Sequence, residues 1–269
     1  MLSAIVNAAC EAGDEVVYAW RSFEAYPIMV ALSGARSVQV PVTEDGRHDL
    51  QQMADAVTRD TRVVLVCSPN NPTGTAVHAD EWERFLGAVP RDVLVVLDEA
   101  YLEFVRDADS PDAIEVYRRH PNVVVLRTFS KAYGLAGLRV GYAVARPEIA
   151  VSLRSCVIPF AVSDMAIQAV VASYAAQDEL LERVEALVGE RTRVQDGLRE
   201  LGYAVPQTQA NFVWLQLGAK TEEFAEAADA VGLSVRPFAG EGVRVSVEAP
   251  EANTRLLEVA ERFRERLSG

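Results

Sequence analysis

The sequence has few cysteines and few histidines, and their arrangement excludes several kinds of site. The three cysteines of the 269-residue chain, Cys10, Cys67 and Cys156, are far apart and lie in apolar sequence. Without a CxxC pair or a disulfide-type spacing, they are predicted to be free, buried thiols in a reducing compartment. The three histidines also stand apart, with no cluster of histidines and carboxylates. We therefore expect no metal site.

Long apolar runs and long basic runs are missing as well. The apolar stretches are too short to cross a bilayer, and the opening MLSAIVNAACEAGDE lacks the basic start of a signal peptide. The formal net charge is −13, from 26 Lys and Arg against 39 Asp and Glu. This balance argues against nucleic acid or an anionic membrane as the main partner. We predict a cytoplasmic protein that binds small molecules, in which any basic side chain of a site acts locally.

The sequence does contain a regular alternation of short apolar strands and helical stretches from residue 14 to about 145. Six near-continuous apolar runs are predicted to be strands buried on both faces: 15–20, 37–42, 62–68, 93–99, 122–129 and 139–145. The pattern is typical of a mostly parallel sheet with helices on both faces. After residue 147 it changes to long helices and three strands near 211–217, 233–238 and 242–247. We predict an α/β protein with a large domain over 1–155 and a small C-terminal α+β domain over 156–269.

Three segments that follow predicted strands carry residues suited to chemistry. The first is TFSKAYGLAGLRVG, where Lys131 follows the hydroxyl residues Thr128 and Ser130 and precedes a glycine-rich turn with Arg139. Hydroxyl groups and a guanidinium group bind phosphate, and glycines let the backbone approach a ligand closely. A lysine amine beside a phosphate site suits a cofactor that has both an aldehyde and a phosphate group. A lysine outside such a context would be an ordinary surface residue.

The other two segments follow the third and fourth predicted strands. In VLVVLDEAY, Asp98 closes a buried strand and Tyr101 comes three positions later. A buried carboxylate needs a partner, which a protonated pyridine nitrogen would supply; the alternative is a helix N-cap beside a core tyrosine. In CSPNNPTGT a turn offers the amide of Asn71, although such turns occur in many proteins. Because ligands bind beyond the carboxyl ends of parallel strands, we expect these segments to face one crevice.

Together and in this order, SPNNPTG, LDEAY and TFSKAYGLAGLRVG closely resemble the cofactor site of fold-type I (class I/II) aminotransferases, which use pyridoxal 5'-phosphate (PLP). The resemblance runs over essentially the whole chain. It is nearest to the histidinol-phosphate aminotransferase subfamily, and there to the aromatic amino-acid (phenylalanine) members. It implies the PLP-dependent transferase fold, PLP as cofactor and a transaminase of aromatic amino-acid or histidine biosynthesis. The implied substrates are an aromatic amino acid or histidinol phosphate, with 2-oxoglutarate, and the implied assembly is a homodimer.

The resemblance also implies a role for each matching residue. Lys131 holds the cofactor as a Schiff base and moves a proton at the substrate α-carbon. Asp98 pairs with the pyridine nitrogen, while Asn71 and Tyr101 hydrogen-bond the phenolic oxygen. Three further matches, Thr128, Ser130 and Arg139, imply binding of the cofactor phosphate, and Phe23 implies stacking over the cofactor ring. The matches at Arg244, Arg236 and Asn211 imply binding of the substrate. For Phe23 the alternative is an ordinary core aromatic.

The start of the sequence departs from the family pattern. Family members begin upstream with an arm, a helix and a turn whose amides hold the cofactor phosphate, whereas Met1 falls inside the helix that follows this turn. We therefore expect a chain truncated relative to the family, with exposed apolar surface on its large domain. Three alternatives to an active transaminase follow: an inactive or weakly PLP-binding fragment, a PLP-dependent decarboxylase of the same fold, and a non-catalytic sensor domain.

Overall fold

A six-stranded sheet in the order β2-β1-β3-β4-β5-β6 dominates the computed structural model, which describes residues 1–266. The strands β1 to β5 are parallel to one another, and β6 pairs antiparallel with β5. The predicted, mostly parallel sheet is confirmed. The bounds are β1 (Glu15–Trp20), β2 (Arg36–Pro41), β3 (Thr61–Cys67), β4 (Leu94–Asp98), β5 (Val123–Thr128) and β6 (Gly141–Val144).

Helices cover both faces of this sheet. They are α1 (Leu2–Ala9), α2 (Ala25–Ser33), α3 (Leu50–Asp55), α4 (Ala79–Ala88), α5 (Ala113–Arg119) and α6 (Pro147–Ser155). Side chains of α1, α2 and α6 join one buried apolar cluster, and those of α3, α4 and α5 join another. Successive strand residues point to opposite faces, so Val63 and Leu65 of β3 belong to the first cluster and Val64 and Val66 to the second. This double burial explains the continuous apolar runs.

Three burial predictions are wrong. The run at 37–42 was expected to be buried on both faces, but β2 is an edge strand with four of its six residues exposed and only Val40 buried. An edge strand has a neighbour on one side only, so less of its surface is covered. The run at 139–145 was also expected to be buried on both faces, but β6 is the other edge strand and all four of its residues are only partly buried. The third error concerns Cys156, which follows α6 and is partly exposed, whereas Cys10 and Cys67 are buried free thiols as predicted.

A three-stranded antiparallel sheet in the order β7-β9-β8, called the small sheet below, forms a second core. Its strands are β7 (Phe212–Gln216), β8 (Arg236–Phe238) and β9 (Gly242–Ser246). Four helices accompany it in the described part of the chain: α7 (Asp164–Ala175), α8 (Gln177–Glu200), α9 (Thr221–Asp229) and α10 (Pro250–Phe263). The predicted C-terminal α+β arrangement is confirmed. The division at residue 155 stays a prediction, and residues 267–269 lie outside the described residues.

Exposed apolar side chains are present on the large-sheet part, as expected. On α2, Ile28 and Leu32 are 60% and 79% exposed. A second group lies between α6 and α7 and at the start of α7, where Ile158, Phe160 and Met165 are exposed. Within residues 1–266, no helix is both long and apolar enough to span a membrane.

Candidate active site

A cleft of about 680 Å³ opens beyond the carboxyl ends of β4 and β5. It lies where ligands bind in open α/β sheets, because loops from neighbouring strands meet there on a fixed scaffold. The parallel pairing of β4 with β5 puts the ends of both strands at this edge. Six of the residues singled out in the sequence line the cleft: Phe23, Asp98, Thr128, Ser130, Lys131 and Arg139.

Asp98 is the buried acid of the cleft. It is the last residue of β4, is 8% exposed, and accepts a hydrogen bond at Oδ2 from the hydroxyl of Tyr26 at 3.0 Å. Burial raises the pKa of its carboxyl to about 6, while the Tyr26 hydroxyl, the backbone N–H of Ala100 and the charge of Lys131 act in the opposite direction. Asp98 is not a helix N-cap, since the next helical turn is preceded by Tyr101. A cation bound here would stabilise the carboxylate.

Lys131 lies three residues after β5 and keeps access to solvent. Its Nζ is 5.2 Å from the centre of the Tyr101 ring. Partial desolvation lowers the pKa of the amine, and the positive charge of Arg244 lowers it further, against the opposing effect of Asp98. A lowered pKa increases the neutral fraction of the amine, which is the form that attacks an aldehyde. The environment of Lys131 therefore favours a reactive amine.

Hydroxyl groups and a guanidinium group form one wall of the cleft, and such groups suit a phosphate. Thr128 Oγ1 donates to Ser130 Oγ at 2.9 Å and accepts the Ser130 backbone N–H at 3.1 Å. Arg139 has a φ of 53°, a left-handed conformation that is uncommon for a residue other than glycine and is found at ligand sites. Gly141 lies opposite Thr128, and a Cβ there would come within 2.7 Å of the Arg127 carbonyl oxygen. The wall therefore depends on a glycine at position 141.

A second group of predicted residues lies next to Lys131 without lining the cleft. Arg244 Nη1 donates to Asn71 Oδ1 at 2.6 Å, and the Arg244 guanidinium carbon is 5.2 Å from the centre of the Phe212 ring. Phe212 packs edge to face on Tyr101, with ring centres 5.1 Å apart. The Nε of Arg244 is buried and has no hydrogen-bond partner among the described residues. Arg244 therefore keeps one donor without an acceptor.

Two further predicted residues have their contacts elsewhere. Arg236 is the direct partner of Arg244 in the β8–β9 ladder, and its Nη2 lies 3.0 Å from Glu24 Oε2 in an ion pair. Asn211 precedes β7, and its backbone carbonyl accepts the N–H of Val247 at 2.9 Å. The structure therefore brings Arg236 beside Arg244 and gives Asn211 a backbone contact on the small sheet.

Tyr26 is a residue of this site that the sequence did not indicate. It is fully buried on α2, donates its hydroxyl to Asp98, and packs edge to face on Phe23 with ring centres 5.6 Å apart. It therefore links the acid of the cleft to the aromatic residue at its mouth. Its spacing of three residues from Phe23 is compatible with a contact between the two rings, but this spacing does not predict a partner for the Tyr26 hydroxyl.

Asn70 is the second residue that the sequence did not indicate. It is fully buried, accepts a hydrogen bond from Ser22 Oγ at 2.7 Å, and donates to the backbone carbonyl of Arg21 at 3.1 Å. These bonds hold the segment that carries Phe23 against the turn that carries Asn71. Both asparagines of the turn are buried, and the sequence marks the turn without revealing that Asn70 bonds to the segment of Phe23 while Asn71 bonds to Arg244.

The functional groups of the cleft fit PLP. A buried carboxylate suits a protonated ring nitrogen, a lysine amine suits the aldehyde, and paired hydroxyl groups with a guanidinium suit the phosphate. Asp98, Lys131, Thr128 and Arg139 supply these groups around one cavity. Among residues 1–266, no group of three or more His, Cys, Asp or Glu side chains is placed to hold a metal ion.

Burial of Asp98 gives a pH-dependent stability that can be measured. Because the pKa is raised from 3.8 to about 6, the folded state binds this proton more tightly than the unfolded state does. The resulting stability is full below pH 3.8 and is lost as the pH rises through about 6. Asp98→Asn removes the buried charge. The variant should therefore gain stability relative to the wild type as the pH increases over this range, in the absence of cofactor.

Urea unfolding of both cofactor-free proteins across this pH range measures the difference. Glu99 also has a pKa raised to about 7 by burial, but it is present in both proteins and is not among the main causes of the Asp98 shift, so its contribution should cancel. A difference in unfolding free energy that stays constant with pH would contradict the raised pKa of Asp98.

Comparison with known proteins agrees with this geometry. Residues 1–263 match the model of the family aminotransferase class I and II. The chain is similar to an aromatic amino acid aminotransferase of Streptomyces coelicolor, at 60% identity over 98% of this chain and 73% of that protein. A protein of the same description from Streptomyces avermitilis is 61% identical, with the same coverage. A histidinol-phosphate aminotransferase of Sinorhizobium meliloti, solved in complex with pyridoxal-5'-phosphate, has a TM-score of 0.86 at 33% identity, covering 100% of this chain and 74% of that one.

Proposed function

The chain belongs to the aminotransferase class I and II family, and we propose that it transfers an amino group between an aromatic amino acid and 2-oxoglutarate. Its fold is that of the PLP-dependent aminotransferases, and its cofactor is PLP. The observation that carries the proposal is the cleft in which the buried Asp98 and the reactive amine of Lys131 face one cavity. An acid and an amine placed in this way are the groups that the reaction requires.

Asp98 and Lys131 would act at the two ends of the reacting system. When bound, PLP supplies an electron-withdrawing ring that stabilises negative charge at the substrate α-carbon. The Asp98 carboxylate would keep a proton on the ring nitrogen, because its burial makes an unpaired negative charge costly. Lys131 Nζ would hold the aldehyde carbon, whose oxygen leaves as water, until the substrate amine displaces it. The freed amine would then take up the proton from the substrate α-carbon. The lowered pKa of Lys131 suits both tasks.

The remaining site residues would bind and orient. Thr128, Ser130 and Arg139 would hold the cofactor phosphate, and Phe23 would cover one face of the ring. Asn71 uses its carbonyl oxygen for Arg244, so its amide N–H groups stay free to donate to the phenolic oxygen, together with Tyr101.

Arg244 would bind the anionic group of the substrate. Its position over Phe212 and next to Asn71 fixes the guanidinium, and the partnerless Nε leaves a donor for an anion. Arg236 and Asn211 would be further substrate residues. Similarity to the two Streptomyces aromatic amino acid aminotransferases supports a substrate with a flat apolar ring.

The assembly and the compartment belong to the same proposal. We propose a homodimer, which the exposed apolar side chains between α6 and α7, Ile158 and Phe160 among them, support. The free cysteines support a reducing compartment such as the cytoplasm.

Half-reactions test the proposed function. The protein is saturated with PLP and mixed with phenylalanine or with histidinol phosphate, and the cofactor absorbance and the released oxo product are followed. We expect phenylalanine to yield phenylpyruvate and 2-oxoglutarate to restore the starting spectrum. Conversion of histidinol phosphate alone would instead favour the second candidate, which similarity to the Sinorhizobium meliloti enzyme supports. Release of carbon dioxide in place of an oxo acid would contradict transamination.

A further inference from the structure

Two arginines lie side by side on the small sheet. Arg236 of β8 and Arg244 of β9 are directly opposed in the antiparallel ladder. Side chains at such positions leave the sheet on the same face, with Cβ atoms about 4.5–5.5 Å apart. Two guanidinium groups carried by neighbouring positions on one face, if neither were neutralised, would suit an anion with two negative charges, such as a phosphate monoester.

The two arginines have different partners. Arg244 donates to the neutral amide oxygen of Asn71 at 2.6 Å, so its positive charge remains uncompensated. Arg236 instead forms an ion pair with the carboxylate of Glu24 at 3.0 Å. Glu24 therefore cancels one of the two positive charges. The group of Arg236, Arg244 and Glu24 has a net charge of about +1, which matches a carboxylate better than a phosphate dianion.

Glu24 is held in place by its neighbours in the chain. It follows Phe23, which lines the cleft, and precedes α2. Arg21 Nε donates to Glu241 Oε2 at 2.9 Å, and Ser22 Oγ donates to Asn70 at 2.7 Å. The segment is thus fixed both to the small sheet and to the turn of residues 67–75. The Glu24 carboxylate reaches Arg236 from a backbone that is anchored on two sides.

We propose that Glu24 determines specificity by neutralising Arg236, so that the site prefers a substrate carboxylate to a substrate phosphate. The inference rests on the proposed function, because it concerns the anion-binding part of the same substrate site. A carboxylate is satisfied by Arg244 alone. A phosphate monoester carries about −1.5 to −2 charges at neutral pH, and its second charge would lie near the Glu24 carboxylate. The site therefore favours an aromatic amino acid over histidinol phosphate.

Two unreactive ligands with the same ring test this preference. These are 3-phenylpropionate and 2-phenylethyl phosphate, and their dissociation constants are measured by calorimetry on the PLP-saturated protein. Glu24→Gln should improve binding of the phosphate ester relative to the carboxylate by about three- to fivefold, a modest factor because the Glu24–Arg236 pair is open to solvent. The shift should decrease at high ionic strength, because salt screens exposed charges.

Two control variants separate this effect from a general change in charge. Glu24→Gln combined with Arg236→Gln removes both members of the pair and should return the preference to that of the wild type. Glu223→Gln removes a carboxylate from α9, which packs beside the small sheet, but its partner is Lys220, away from the cleft, and it should change the ratio by less than about twofold.

An unchanged ratio in Glu24→Gln, or an equal shift in Glu223→Gln, overturns the proposal. Because neither ligand reacts, the outcome does not depend on turnover. The binding ratio therefore tests the role assigned to Glu24, and the half-reactions test the proposed function. Failure of one can be distinguished from failure of the other.

Discussion

Lys131→Ala should abolish covalent attachment of PLP and reduce the rate of transamination by about a thousandfold or more, because one amine both binds the aldehyde and moves the proton. The chain makes this test unusually specific, since it contains only two lysines, Lys131 and Lys220. Borohydride reduction of the PLP-treated protein followed by peptide mapping should place the label of the wild type on Lys131. The variant should remain unlabelled and inactive.

Lys220→Ala provides the matched control. Lys220 lies before α9 and forms an ion pair with Glu223 at 3.2 Å, away from the cleft. Its loss should leave both the label and the rate unchanged. A label on Lys220, or on the amino group of Met1, which also lines the cleft, would contradict the role proposed for Lys131.

Asp98→Ala should have the second largest effect, a loss of about a hundred- to a thousandfold in the half-reaction with phenylalanine. Removing a preorganised charge from a site of this kind typically costs that much, because the ring loses the partner that keeps it cationic. Affinity for PLP should also fall, since the cation would lose a buried carboxylate. Rapid-mixing absorbance measures the rate, and titration of the cofactor-free protein with PLP measures the affinity.

Tyr26→Phe separates the contribution of the Asp98 carboxylate from that of the hydrogen bond that it accepts from Tyr26. It removes the hydrogen bond of 3.0 Å to Asp98 and leaves the carboxylate in place. A hydrogen bond to a charged group contributes about 1.5–3 kcal/mol, so we expect a loss of about ten- to a hundredfold and a higher pKa of Asp98. Equal losses in Tyr26→Phe and Asp98→Ala would mean that position, and not charge, accounts for the effect of Asp98.

The bounds of a strand could be predicted closely where the strand is buried on both faces. The run at 15–20 coincides with β1 (Glu15–Trp20), and the run at 93–99 contains β4 (Leu94–Asp98), because both strands are buried on two faces and leave no polar break. The run at 37–42 looked similar and is an exposed edge strand. Whether a strand is central or at the edge depends on the order of strands in the sheet, and the residues of one segment do not contain that order.

The sequence by itself indicated the candidate chemistry of the site, since Asp98 ends one strand and Lys131 follows another closely enough for the strands to fix their positions. Only the tertiary structure decided the partners. Tyr26 meets Asp98 across 72 positions, and Arg244 meets Asn71 across 173. The bond from Arg236 to Glu24 spans 212 positions. Such contacts arise when separate elements pack together, so no local pattern encodes them. One of them, the pair of Glu24 and Arg236, sets the net charge on which the proposed preference for a carboxylate depends.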